Sequence, residues 1–165
     1  MTASTPQDAR KLFEETLEME MSPPSLISDA ALAYNTTPTP DSTFTYAFAL
    51  SRSERDSERA YSIVLFDQLI ADKYPHPIDC FYGKSVAFYL NKDYASARAG
   101  VESILRTNPG HQKARALHLA SIAVMDEREK NMNLAVGSGV LAIGVGAAIG
   151  LAGIFLGKKR WRRRQ

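Results

Sequence analysis

Cysteine and histidine are scarce in this 165-residue chain, and their scarcity excludes several kinds of site. Cys80 is the only cysteine, so an internal disulfide cannot form, as is usual in a reducing compartment. The three histidines, His76, His111 and His118, do not form a ligand cluster with Cys80 or with an acidic pair. No serine lies in a nucleophile elbow, and no other catalytic arrangement is visible. We therefore expect a protein that is not an enzyme and that holds no metal or cofactor.

Acidic residues are absent beyond Glu129, and this absence divides the charge of the chain unevenly. The last eight residues hold six of the 20 basic residues, namely Lys158, Lys159, Arg160, Arg162, Arg163 and Arg164. The other basic residues share the preceding part of the chain with all 18 acidic residues. The isoelectric point near 8.7 therefore reflects the C-terminal end. Because the folded part has no basic face, we expect no nucleic-acid partner.

A long run without charge is present at residues 134–157, where Ser138 is the only polar side chain. At ~1.5 Å of rise per residue, a helix over this run would extend about 36 Å and could cross a hydrocarbon core of ~30 Å. We therefore predict a transmembrane helix over 134–157, followed by a basic tail over 158–165 whose six cations act in targeting. Because so few residues follow the span, insertion would be post-translational, which predicts a tail anchor with residues 1–133 in the cytosol. A moderately apolar span with a basic end is typical of anchors in the mitochondrial outer membrane or the peroxisome.

Glycine is concentrated in the predicted span, which contains seven of the ten glycines. Gly146 with Gly150, and Gly153 with Gly157, form two pairs whose spacing would let helix backbones approach closely. This pattern leaves homo-oligomerisation through the span open. It also leaves open a membrane-remodelling protein whose span oligomerises and itself perturbs the bilayer.

The part before the span has the helical period, interrupted by prolines and turn residues. We predict helices over 7–21, 26–34, 42–53, 57–71, 78–90, 94–107 and 111–129. Short loops between successive helices indicate antiparallel neighbours. The predicted organisation is all-α: an N-terminal arm with the first helices over 1–41, a repeat core over 42–130, the span over 134–157 and the tail over 158–165.

A helical-pair repeat is visible in the predicted core. Residues 78–111 match part of a tetratricopeptide pattern, with small residues where paired helices cross and a proline that closes the repeat. The matching positions are Phe81, Ser85, Phe88, Tyr94, Ala97, Val101, Ile104 and Pro109. Ser62, Phe66 and Leu69 precede Ala97, Val101 and Ile104 by 35 residues, so the second helix of an earlier pair repeats the pattern. Two imperfect repeats need flanking helices to cover their ends.

Four segments of the chain together resemble the tail-anchored mitochondrial fission 1 family. These segments are residues 44–53, 63–69, 88–98 and 105–112. The first is an aromatic-rich helix ending in Leu50-Ser51-Arg52-Ser53, with Phe48 where the family usually has tryptophan. The resemblance extends over residues 42–165, including the glycine-rich span and its basic end, and it is weak over residues 1–41.

The resemblance implies a fold and a function. The fold is a six-helix tetratricopeptide-like bundle, made of two helix-pair repeats with flanking helices, plus one C-terminal transmembrane helix. The function is that of a non-catalytic adaptor on the mitochondrial outer membrane, the peroxisome or both. Such an adaptor recruits a dynamin-related GTPase, directly or through an adaptor protein, so that the organelle divides. In the family the N-terminal arm can fold over the groove, and the sequence leaves open whether residues 1–21 do so here.

Helical repeats present a concave surface, which the first helix of each pair lines. From tetratricopeptide geometry we expect a partner-binding groove formed by Tyr46, Ala49, Leu50, Ser53, Tyr82, Val86 and Tyr89. Aromatic residues at helical spacing are equally compatible with a core. An alternative function is a tail-anchored repeat receptor for protein import or chaperone docking. Chaperone docking requires a basic clamp for a C-terminal carboxylate, whereas the expected groove is aromatic and apolar.

Overall fold

The computed structural model describes residues 5–137, with side chains as far as residue 134. Every regular element in this range is an α-helix, so the predicted all-α class is confirmed. The helices are α1 (Pro6–Met19), α2 (Pro24–Thr36), α3 (Pro40–Ser51), α4 (Asp56–Ala71), α5 (Pro77–Leu90), α6 (Tyr94–Thr107) and α7 (Gln112–Gly137). Residues 5–137 thus contain seven helices, the number that the helical period predicts, where the family resemblance implies six.

Proline begins four of these helices, α1, α2, α3 and α5. A proline in the first turn costs no hydrogen bond, because the first N–H groups of a helix have no partner within it. Thr5 and Thr39 add a reciprocal cap, in which the threonine side chain accepts from a backbone N–H three residues later. These caps fix where α1 and α3 begin.

The helices from α2 to α6 form a consecutive stack. Each packs against the next in sequence, and α3 also contacts α5. Gly83 of α5 lets α4 approach closely, since a Cβ at Gly83 would collide with the ring of Phe66. The contact between α3 and α5, the first helices of the two predicted pairs, is the arrangement expected along the inner side of a helical repeat.

Two apolar clusters fill the compact unit that ends at Arg128. The first, here called the sealed cluster, joins α3, α4 and α5 through Ala47, Leu50, Leu65, Phe66, Leu69, Tyr74 and Cys80. The second, here called the arm cluster, joins α1, α5, α6 and α7. Its buried members are Phe13, Leu17, Tyr82, Val86, Tyr89, Ala97, Val101, Ile104, Ala114, Leu117, Ala120 and Val124. The N-terminal arm is therefore part of the apolar interior.

A second unit begins at Glu129, within α7. Among residues 5–137, no helix is both long enough and apolar enough to span a membrane. The predicted span over 134–157 lies outside the described residues except for its first four positions. Its paired glycines and the six basic residues of the predicted tail also lie outside the described residues.

Candidate functional site

The candidate site is one face of α5. Tyr82, Val86 and Tyr89 are spaced by four and three residues, which places them on the same side of a helix. All three are buried, with 8%, 0% and 5% of their surface exposed. Phe13 and Leu17 of α1 belong to the same cluster and cover this face. The structure therefore brings together three of the residues predicted for the groove and places the N-terminal arm over them.

Tyr89 makes the most specific contacts with α1. Its ring meets Phe13 edge-on, with centroids 5.2 Å apart and planes at 85°, a favourable geometry for two aromatic rings. Its hydroxyl donates a hydrogen bond to Oε1 of Glu14 at 2.8 Å. Burial and this hydrogen bond raise the pKa of Tyr89 above its usual range. The polar contact fixes how α1 lies on the apolar face.

Polar contacts also hold both ends of α1. Near its start, Arg10 donates to Glu127 of α7. At its end, Nζ of Lys113 donates to Oε1 of Glu20 at 3.1 Å, and Oε2 of Glu20 lies 3.5 Å from Nε of Arg52. Burial is partial or absent at Arg10, Lys113 and their partners, so these ion pairs stabilise the arm by ~1 kcal/mol or less each. The apolar contacts supply most of the docking energy.

Arg52 is a functional candidate that sequence reasoning did not select. It is the C-cap residue of α3, yet only 2% of its surface is exposed. Its guanidinium lies 4.0 Å from the centre of the Phe48 ring, and Nη1 donates to the Ser51 hydroxyl at 3.1 Å. Burial lowers the pKa of Arg52, and burial raises the pKa of the adjacent Tyr82 to about 12. A fully buried arginine therefore lies beside the covered face.

The residues of α3 predicted for the groove have other surroundings. Leu50 is buried in the sealed cluster with Leu65 and Phe66. The Ser53 hydroxyl donates to Glu58 and accepts from the backbone N–H of Arg55, so it organises the start of α4. Ala49 is also buried.

Tyr46, the remaining predicted residue, is half-buried on another side of α3. Its ring stacks on Tyr34 with centroids 5.3 Å apart and meets Tyr61 edge-on at 6.4 Å. Tyr46 therefore contacts α2 and α4. The groove assignments of Tyr46, Ala49, Leu50 and Ser53 stay predictions.

An open cavity of about 500 Å³ adjoins α1. It lies between α1 and the first turns of α7, with Tyr82 in its wall, and its lining is mainly apolar. Leu12 is half-exposed there, and Lys113 and Arg115 contribute positive charge. The arm thus borders free space on the side facing α7.

The described residues of this region do not include a set of metal ligands. Within the described part of the chain, no group of three or more His, Cys, Asp or Glu side chains could hold a metal ion. His118 instead pairs with Glu102 at 3.2 Å, and Nδ1 of His111 accepts the backbone N–H of Ala114. What the site offers is an apolar face with one buried cation, which is suited to binding.

Consecutive helix pairs with an apolar face on the first helix define the class of the molecule, a tetratricopeptide-like repeat domain. Solved structures agree with this class. Fis1 from Saccharomyces cerevisiae superposes with a TM-score of 0.59 at 17% identity, over 82% of this chain and 99% of that one. Yeast Fis1 in complex with an Mdv1 fragment gives a TM-score of 0.60 at 16% identity, over 76% of this chain and 94% of that one. These likenesses confirm the predicted tetratricopeptide-like fold.

Two named proteins are also similar to the chain in sequence. The mitochondrial fission 1 protein of Debaryomyces hansenii is 27% identical over 135 residues, which cover 82% of this chain and 85% of that protein. The mitochondrial fission 1 protein of Candida albicans is 26% identical over 135 residues, with 82% and 84% covered. No family model matches the chain. The predicted resemblance to the mitochondrial fission 1 proteins is confirmed.

Proposed function

We propose that this protein is an adaptor in mitochondrial fission that binds a segment of a partner protein on the α5 face. One observation carries the proposal: α1 contributes Phe13 and Leu17 to the cluster in which Tyr82, Val86 and Tyr89 are buried, and the Phe13 ring meets the Tyr89 ring edge-on. Helix α1 would detach without unfolding the domain, because local opening costs less than global unfolding. The similarity to mitochondrial fission 1 proteins supports fission as the process served.

The arm and the partner would compete for this face. An amphipathic helix of the partner would replace α1 with its own apolar side chains, in the manner of a helix bound in a groove. Its apparent affinity would be reduced by the fraction of molecules whose arm is docked. The arm thereby sets a threshold for partner binding.

A finer proposal concerns the partner. The partner is a dynamin-related GTPase, recruited directly or through an adaptor protein. The structure of yeast Fis1 with an Mdv1 fragment that contains an N-terminal extension and coiled coil domains supports recruitment through a helical adaptor.

Membrane attachment is a further part of the proposal. A span over 134–157 and a basic tail over 158–165 would anchor the protein in the mitochondrial outer membrane, the peroxisomal membrane or both, with the repeat domain in the cytosol. Paired glycines of the span would permit homo-oligomerisation. The charge-free sequence of the span supports the anchor.

Imaging of the full-length chain in cells tests the function. We expect localisation to mitochondria or peroxisomes, fragmentation of the organelle on overexpression and elongation on loss. Tyr89→Ala should abolish the fragmentation, whereas Tyr61→Ala, the same change at an exposed tyrosine of α4, should preserve it. Localisation to the endoplasmic reticulum, or an unchanged organelle shape, would contradict the proposal.

One observation favours a second function. Arg52 and Lys113 approach the same carboxylate, that of Glu20, as a clamp for an acidic group would. An import receptor or a chaperone-docking protein would use such a clamp for the C-terminal carboxylate of its partner. Peptides with free and amidated C-termini distinguish this function from binding of an internal helix.

A further inference from the structure

The carboxylate of Glu20 lies at one end of the covered face. Glu20 follows the last turn of α1, and its two oxygens lie 3.1 Å from Nζ of Lys113 and 3.5 Å from Nε of Arg52. Tyr82, the first residue of the covered face, lines the same cavity as Glu20 and Lys113. The apolar face and the carboxylate site are therefore continuous.

Arg52 is incompletely satisfied in this arrangement. Nη1 bonds to the Ser51 hydroxyl, but Nε and Nη2 have no hydrogen-bond partner within the described residues. A buried cation needs a partner, and a guanidinium presents its N–H groups as a fork that matches the two oxygens of a carboxylate. At 3.5 Å from Nε, the Glu20 carboxylate offsets the positive charge of Arg52 but does not form the paired hydrogen bonds that a guanidinium can donate. A better-placed carboxylate would bind Arg52 more strongly than the arm does.

The position of Glu20 is not explained by the helix that precedes it. Glu20 is the C-cap residue of α1, and the last turn of α1 contains no basic residue. Negative charge at a helix C-terminus is unfavourable, because the partial charge there is also negative. Pairing with Arg52 and Lys113 offsets this cost. The geometry therefore ties the acid to the face on which α1 lies.

We infer that Arg52 and Lys113 form an acid-recognition subsite, and that the partner helix that displaces α1 carries a carboxylate matched to it. The arm gives the spacing: an aromatic residue at Phe13, leucine four residues later at Leu17, and the acid three residues after that at Glu20. This inference rests on the proposed function and adds the chemistry of the partner, an acidic amphipathic helix. A helix with the same apolar residues but no acid would leave Arg52 buried and unpaired. Such a helix would therefore bind more weakly than the acidic one.

The test uses a labelled peptide with the sequence of residues 5–22. The receptor is the full chain with Phe13→Ser, Leu17→Ser and Glu20→Gln, which release its own arm, and circular dichroism checks that it remains helical. Fluorescence anisotropy then compares the unchanged peptide with a Glu20→Gln peptide and a Glu18→Gln peptide. Glu18 is the matched control, because it is an exposed glutamate of the same helix.

We expect the unchanged and Glu18→Gln peptides to bind equally well. The Glu20→Gln peptide should bind roughly 30-fold more weakly, because the buried Arg52 then lacks the charge that pairs with it. Adding Arg52→Gln to the receptor should remove most of that difference. Equal binding of the unchanged and Glu20→Gln peptides would overturn the subsite and leave the α5 face as a binding site. No binding of the unchanged peptide would overturn the proposed function itself.

A further peptide distinguishes binding of a side-chain carboxylate from binding of a C-terminal carboxylate. It carries Glu20→Gln, ends at residue 20 and is made with a free or an amidated C-terminus. The inference predicts weak binding of both forms. Tight binding of the free form alone would assign the subsite to a C-terminal carboxylate and overturn the helix-borne acid.

The full chain with its arm intact offers a measurement that does not depend on the released receptor. Glu20→Gln should accelerate hydrogen exchange of the α1 amides relative to Glu18→Gln by roughly the factor by which it weakens peptide binding, because the arm loses the same contact with Arg52. Equal exchange in the two variants would overturn the pairing of Glu20 with Arg52.

Discussion

The sealed cluster and the arm cluster are both apolar, but they are closed in different ways. Helices α3, α4 and α5 enclose the sealed cluster, and each of them has further neighbours along the stack. The arm cluster is closed on one side by α1, the first helix of the described residues, which a short loop joins to α2. The comparison teaches that burial alone does not distinguish a core from an occupied binding face. What distinguishes them is whether the covering element can leave.

The largest expected effect is in the sealed cluster. Phe66 is fully buried and packs against Gly83, so Phe66→Ala would leave a large cavity that the close helices cannot fill. We expect the free energy of unfolding to fall by about 3–5 kcal/mol, measured by urea denaturation. Val64→Ala, at a position of α4 that is 58% exposed, is the control and should change it by less than about 0.5 kcal/mol. A loss at Phe66 as small as that at Val64 would contradict the distinction between the clusters.

A smaller effect is expected in the arm. Phe13 is nearly as buried as Phe66, but after Phe13→Ala the arm can detach, so the loss of global stability cannot exceed the docking free energy of α1. Hydrogen exchange should accelerate in α1 and not in α4, and partner affinity should increase.

Cys80 is a reporter of the sealed cluster, because it is fully buried there and burial raises the pKa of its thiol to about 11.

The rate at which the Cys80 thiol is modified should differ between the two variants. Modification of Cys80 by a thiol reagent should be slow in the unchanged chain and in Phe13→Ala, and fast in Phe66→Ala. Leu12→Ala is the control for the arm, because Leu12 neighbours Phe13 and is half-exposed. Rapid modification of Cys80 in Phe13→Ala would mean that the two clusters open together.

Sequence reasoning predicted the helices of the repeat well and their starts less well. The helix predicted over 94–107 matches α6, but those predicted from 26 and 42 begin at Pro24 and Pro40. These prolines were interpreted as interruptions of the helical period, whereas the first turn of a helix accepts proline. Helix α7 continues to Gly137, beyond its predicted end at 129, because no proline or glycine interrupts residues 130–136.

The candidate site was predictable only in part. The spacing of Tyr82, Val86 and Tyr89 gives a common face from the helical period alone. The cover over that face depends on tertiary packing, since apolar residues at the spacing of Phe13 and Leu17 fit many surfaces. The burial of Arg52 was not predictable, because arginine is seldom fully buried and its partner Glu20 is distant in sequence. The position of Arg52 within the family-like segment 44–53 was the available signal.

The smallest expected effect concerns the ionisation of one tyrosine from each cluster, which has no consequence at neutral pH. Burial raises the pKa of Tyr82 in the arm cluster and of Tyr74 in the sealed cluster to about 12, with the hydrogen bond to Asp41 also contributing at Tyr74. A tyrosine with a raised pKa stabilises the folded state below pH ~10, and this stabilisation is lost as the pH rises from ~10 through the raised value. Tyr82 can ionise once the arm leaves, whereas Tyr74 can do so only after its cluster opens.

We therefore expect the arm to detach before the domain unfolds as the pH rises from about 10 to about 12. Anisotropy of the labelled arm peptide on the released receptor should fall in this range while the far-ultraviolet circular dichroism persists. Tyr82→Phe should move the loss of peptide binding to higher pH, even though Arg52, Glu20 and Lys113 remain next to the ring. Tyr74→Phe should leave it unchanged. If both variants shift peptide binding equally, the covered face and the sealed cluster respond as one unit, and α1 is a structural helix of the domain.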